Sequence, residues 1–228
     1  MAALLFYLIK EVPGATGGSR TALKEAREGW TLLKEQPHFL RFVIARSILL
    51  SVMLVIPFYA IFAREIVGTE VSGLGIFVIS NSLAMVLSSY LWGRFADRSS
   101  KHVMAAGGCV GLVGAILALG FLIFPDEWHI PILFSSVFFI AGFAHAGIRM
   151  GRKTYLVDGA PEKDRPLYVA LSNTFVGLIT VSSVVLGFIA DLMGVEWLIA
   201  LFGLLMAAGI MISLQLPNAE NMVVQKPE

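Results

Sequence analysis

Six long apolar runs dominate the chain, at 42–63, 71–93, 103–124, 129–148, 167–190 and 196–216. About 20 residues at a rise of 1.5 Å cover a hydrocarbon core about 30 Å thick, so each run is long enough for one transmembrane helix. None alternates apolar and polar residues with a period of two, which argues against barrel strands. Lipid offers no partner to an unpaired backbone group, so helices are the expected spanning form. The pattern predicts an all-α integral membrane protein built as a six-transmembrane-helix bundle.

The polar segments organise these runs. Thr21 to Gln36 has helical spacing, with Leu23, Trp30, Leu32 and Leu33 set against Lys24, Glu25, Arg27, Glu28, Lys34 and Glu35. It predicts an amphipathic connector helix at the membrane surface, ended by Pro37. Gly14 to Ser19 is turn-rich, and Met1 to Ile9 is too short to span a bilayer and lacks the basic start of a signal peptide. That stub reads as the tail of a helix or an interfacial anchor. The odd-numbered connections, Glu65–Glu70, Pro125–Glu127 and Asp191–Val195, are short, so the helices they join are antiparallel neighbours. The expected organisation is a stub and connector at 1–38, the bundle at 39–216 and a cytoplasmic tail at 217–228.

Composition agrees with lipid as the solvent: 57% of residues are hydrophobic, 14% are charged, and the mean hydropathy is +0.80. A soluble domain carries about a quarter charged residues. The net charge of +1 leaves no footprint for nucleic acid. Its distribution says more. Fifteen of the 17 Lys and Arg fall in the N-terminal segment, the second and fourth connections and the tail. The opposite connections hold only Arg64, and Arg46 lies inside a span. The positive-inside rule then puts both termini in the cytoplasm of a multi-pass protein of the cell membrane, plasma or inner. Cys109 is the single cysteine, and His38, His102, His129 and His145 are scattered, so neither a disulfide nor a metal site is expected. No HExxH or GxSxG is present; the reading is not an enzyme and has no cofactor or catalytic residues.

Small residues predict how the helices meet. Ala105, Gly107, Gly108, Gly111 and Gly114 lie in the third run, and Ala141, Gly142, Ala144 and Ala146 in the fourth. Gly107 and Gly111 form a GxxxG pair, which favours close backbone packing over a dinucleotide loop because no strand precedes it. Pro57 predicts a kink in the first span. Gly93-Arg-Phe-Ala-Asp97 and Gly187-Phe-Ile-Ala-Asp191 end the second and fifth runs alike, as a 3+3 inverted repeat requires.

The stretch Gly93-Arg-Phe-Ala-Asp97-Arg98-Ser-Ser-Lys101-His102 resembles the G-x-x-x-D-R-x-G-R-R/K motif of major facilitator superfamily transporters. Gly93, Asp97 and Arg98 match it, Lys101 keeps the charge, and Ser100 and His102 depart from it. Tyr155 to Arg165 is similar to the acidic-proline-arginine connection before the eleventh helix of that family. The resemblance covers 20–216 and implies the C-terminal half of a twelve-helix fold, with Met1–Ile9 as the stub of the sixth helix. Such a chain is a fragment, a split-gene product or a half-size protein that pairs. The resemblance further implies that Asp97 caps a helix in the opposite half and pairs with a basic residue, Arg98, Arg149 or Arg152, as a conformational latch. It makes the first and fourth spans the seventh and tenth helices, which line the central cavity.

Ionisable groups inside spans are candidate site residues. Arg46 and His145 lie at similar depth, and Ser135, Phe138, Gly142, His145 and Arg149 share one helical face. A cavity lined by Arg46 and His145 favours an anionic or polar substrate group. The alternatives are snorkelling of Arg46 to the headgroups and a packing hydrogen bond for His145. Asn81 and Asn173 are expected to bond between helices. No Asp or Glu lies deep in any run. The expected function is secondary active transport of a small solute by alternating access, with the lipid bilayer and a second six-helix bundle (the other half or a second copy) as partners. The alternative is a truncated or accessory membrane protein without transport of its own.

Overall fold

The computed structural model describes residues 22–68 and 71–222. The readings on the Met1–Ile9 stub, on Gly14–Ser19 and on the end of the tail lie outside them. Helix α1 (Ala22–Glu35) lies where the sequence predicts an amphipathic helix. The first span is three pieces in line, α2 (Pro37–Ile48), α3 (Ser51–Leu54) and α4 (Ile56–Val67). The second is α5 (Val71–Ala96), the third α6 (Ser100–Gly120) and the fourth α7 (Pro131–Gly159). The fifth is α8 (Arg165–Ser182) with α9 (Val184–Met193), and the sixth is α10 (Val195–Leu214). All six are long and apolar enough to cross a membrane.

Each interruption has a local cause. Pro57 has no N–H to return to Met53, so the first span breaks at Val55, as the proline predicts. A second break falls at Leu49 and Leu50, where Leu50 N–H bonds Ser47 three residues back. The Leu49 side chain there drops into space left by Gly108 and Gly209 of the third and sixth spans. The fifth span breaks at Ser183 after Thr180, Ser182 and Ser183 turn their hydroxyls onto carbonyls three or four residues back. Such back-bonding bends helices. Gly68 ends the first span at φ +64°, a conformation glycine reaches at no steric cost.

The fourth span is the hub, packed along the second and third. A Cβ on Gly142 would lie 2.3 Å from the Asn81 carbonyl oxygen, and one on Gly147 would enter the Trp92 ring. Gly107 and Gly151 set the contact with the third span: added Cβ atoms would lie 2.9 Å from the Ile148 nitrogen and 2.8 Å from the Met104 nitrogen. The GxxxG pair splits its work. Gly107 meets the fourth span, whereas Gly111 meets Val52 and Met206 on the first and sixth. The core is aromatic. Phe77 stacks on Phe138 at 4.5 Å, and Phe42 stacks on Tyr155 at 4.9 Å.

The fourth helix extends well past the apolar run that ends at Ile148, and stops at Gly159. Arg149, Arg152 and Lys153 are therefore helical and not part of a loop. Tyr155 is fully buried on this extension, and its hydroxyl donates to the Pro217 carbonyl at 3.1 Å. The segment after the sixth span folds back: Leu216 and Met222 are buried, around a short 3-10 turn at Ala219–Asn221.

Burial is uneven. In the most apolar window of each span, 56% of residues are buried in the first and fourth, but 17% in the second and 6% in the fifth. Val78, Ile79, Val86 and Tyr90 on the second and Val181, Val184, Phe188 and Leu192 on the fifth are exposed.

Candidate solute site and conformational motif

Arg46 lies in the last turn of α2, just before the first break. Its residue is only 7% exposed, which removes the snorkelling alternative. One terminal nitrogen donates to the Ser172 hydroxyl and the other to Asn173 Oδ1 at 2.7 Å. Ser172 is fully buried, so the guanidinium ties the first span to the otherwise exposed fifth. Asn173 thus bonds between helices as expected, and Asn81 does so to the Phe138 carbonyl at 3.3 Å.

His145, Arg149 and Arg152 follow one another at steps of four and three, so they share a face of the fourth span. That face meets Arg46. The four basic groups line one cavity with Leu49, Leu50, Val52, Met53 and Ile148, and among the described residues no acidic one lines it. Arg149 is exposed, so the cluster opens outward there. The enclosed space is about 10 Å³, room for a single water, and a solute would bind on this charged wall with space supplied in front of it. Arg46 Nε and Arg152 Nε are buried without a hydrogen-bond partner. Ser135, Phe138 and Gly142 share the face by spacing but are buried in the bundle, with Phe138 and Gly142 packed against the second span. Sequence reasoning missed Arg152 as a lining residue; the step of seven from His145 carries the signal.

The motif residues do not gather into one network. A Cβ on Gly93 would meet nothing within 4 Å. Asp97 is exposed and makes no ion pair among the described residues; Arg149 and Arg152, its expected partners, face the basic cavity instead. Arg98 lines a separate groove. Lys101 donates to the Leu216 carbonyl at 2.9 Å, closing the end of the sixth span. At the two span ends that the sequence repeat aligns, Gly93 and Gly187 are both unobstructed, and Ala96 and Ala190 are both 6% exposed.

Six membrane-length helices, small-residue packing and a basic cavity between the first and fourth define a polytopic membrane protein of the carrier type. The chain belongs to the Major Facilitator Superfamily, whose family model matches residues 42–227. No curated protein and no solved structure gives a significant match. The six spans make up one half of the twelve-helix fold that the motif resemblance implies.

Proposed function

We propose that this chain is half of a secondary carrier that moves a small anionic solute by alternating access, closed by a second six-helix bundle. The observation that carries the reading is the cavity of Arg46, His145, Arg149 and Arg152, lined by no acidic residue among those described. An arginine at the centre of a membrane helix costs roughly 2.5–3.5 kcal/mol, so basic groups gathered in a bundle with no ion pair among the described residues call for a counter-anion. The reading also accounts for the exposed second and fifth spans, whose apolar faces a second bundle would cover. The basic face is then cytoplasmic, and Asp97, without an ion pair among the described residues, is available to a partner in the other half.

The test is uptake of radiolabelled phosphate and mono-, di- and tricarboxylates into membrane vesicles that contain the chain. Saturable uptake of one anion class, and none of matched neutral compounds, is expected. Absence of any saturable anion flux, in membranes where cross-linking from the second span shows a docked second bundle, favours the accessory protein instead. In the same vesicles Asp97→Asn is expected to lower uptake about tenfold, the worth of one charge-assisted hydrogen bond, with insertion unchanged. Unaltered uptake would remove the latch.

A further inference from the structure

A second cavity, of about 420 Å³, lies where the second, third and fourth spans meet, and it shares no residue with the basic one. Its volume is that of a ligand site. Trp92, Val103, Ala106 and Phe143 form an apolar floor, and Arg98, Ser99 and His102 form the rim. Leu91 and Phe95 at its edge are exposed, so the cavity is a lateral groove open to whatever surrounds the bundle.

The groove is graded along the helices. Arg98 and Ser99 sit in the connection between the second and third spans, and His102 is in the first turn of the third. Ala106 lies four residues further along the third span, roughly 6 Å deeper at 1.5 Å per residue. A guanidinium and two hydrogen-bonding side chains at the helix ends above an apolar trough match the order of headgroup and hydrocarbon in a phospholipid. We propose that this groove holds one anionic phospholipid, its phosphate at Arg98, Ser99 and His102 and one acyl chain along Val103, Ala106 and Phe143.

The rim groups are available for that task. The Arg98 guanidinium makes no hydrogen bond or ion pair among the described residues. His102 uses Nδ1 on the Ser99 hydroxyl at 2.8 Å, which orients the ring and leaves Nε2 unengaged among the described residues. Because Ser99 serves His102, its side chain does not cap the third span, and the positive end of that helix adds to the field at the rim. Lys101, the other cation of the motif, is committed to Leu216 and takes no part. Among the described residues no acidic one lines the groove. His102, a departure from the family motif, supplies half of the proposed headgroup contact. A protein segment fits less well, because the floor offers no polar group to satisfy a peptide backbone.

Each Lys or Arg near an anionic bilayer surface raises affinity roughly fivefold, so Arg98 gives roughly a fivefold preference for an anionic headgroup, to which a hydrogen bond from His102 adds. The full chain is placed in nanodiscs of equal phosphatidylcholine and phosphatidylglycerol, and retained lipid is counted by native mass spectrometry. The wild type is expected to keep one phosphatidylglycerol. Arg98→Gln with His102→Gln is expected to lose the headgroup preference, and Ala106→Phe is expected to expel the lipid with both rim side chains in place. Unchanged melting of each variant shows that the fold is retained. Equal retention of the two lipids by wild type would overturn the proposal. So would an undiminished preference in the double variant, or a second polypeptide chain found in the groove in place of lipid.

Discussion

Replacing Arg46 with glutamine is expected to reduce anion uptake about a hundredfold while the chain still reaches the membrane. Losing a charged partner from a desolvated ionic contact costs roughly 2–5 kcal/mol, and about 2.7 kcal/mol is a hundredfold in affinity. The same side chain ties Ser172 and Asn173 of the fifth span to the first, so part of any loss could be structural. Two further variants separate the contributions. Arg46→Lys keeps the charge but not the planar fork that serves two acceptors at once, and an intermediate loss is expected. Ser172→Ala with Asn173→Leu removes the tie and keeps the cation, and uptake is expected to fall far less than in Arg46→Gln. Equal losses in the double variant and in Arg46→Gln would make Arg46 a structural clamp and not a solute ligand.

Gly142→Ala is expected to be the most damaging single methyl in the bundle. The added carbon would sit 2.3 Å from the Asn81 carbonyl oxygen and 3.1 Å from the Asn81 Cα, both backbone atoms that no rotamer change can move. Relief requires the second and fourth spans to separate, which loosens the Asn81–Phe138 and Ser80–Ser135 hydrogen bonds beside the contact. Overpacking of this kind costs about 1–3 kcal/mol, or a fall in melting temperature on the order of 2–12 °C for a chain of this size. Gly93→Ala is the control. Its new methyl group meets nothing within 4 Å, and alanine is the better helix former by about 1 kcal/mol. Melting of Gly93→Ala is expected to stay level or rise. A loss of uptake with full stability would then mean that the motif glycine is needed against the second bundle.

The six spans were legible because length and unbroken apolarity suffice to mark a membrane helix. The break near Pro57 was legible for an equally local reason, the missing N–H. What lay outside the pattern depended on contacts distant in sequence. The apolar run of the fourth span ends at Ile148, yet the helix runs on to Gly159, because its polar residues occupy one side while Tyr155 and Leu156 are buried on the other. The break at Leu49 needs glycines on two other helices to receive its side chain. Three of the cavity's four basic residues were visible in the sequence, Arg46 and His145 as ionisable residues at matched depth and Arg149 on the helical face of His145. Arg152 was placed only among the cations of the fourth connection and the candidate partners of Asp97, because the apolar run ends at Ile148 while the helix runs on. The Arg46–Ser172 bond spans 126 residues, and a single serine in an apolar run gives no sign of such a partner.

The charge of the cavity can be tested without a second bundle, by ligand-dependent melting of the purified chain. A ligand at about 100 times its dissociation constant stabilises the folded form by about 2.7 kcal/mol, which for a chain of this size is on the order of 5–10 °C. Phosphate, carboxylates and their neutral amide or alcohol counterparts form the panel. The account predicts that at least one anion raises the melting temperature of the wild type by that order, that its neutral counterpart does not, and that Arg46→Gln abolishes the shift. A panel in which no anion shifts the transition, or in which neutral and anionic members shift it equally, would contradict it.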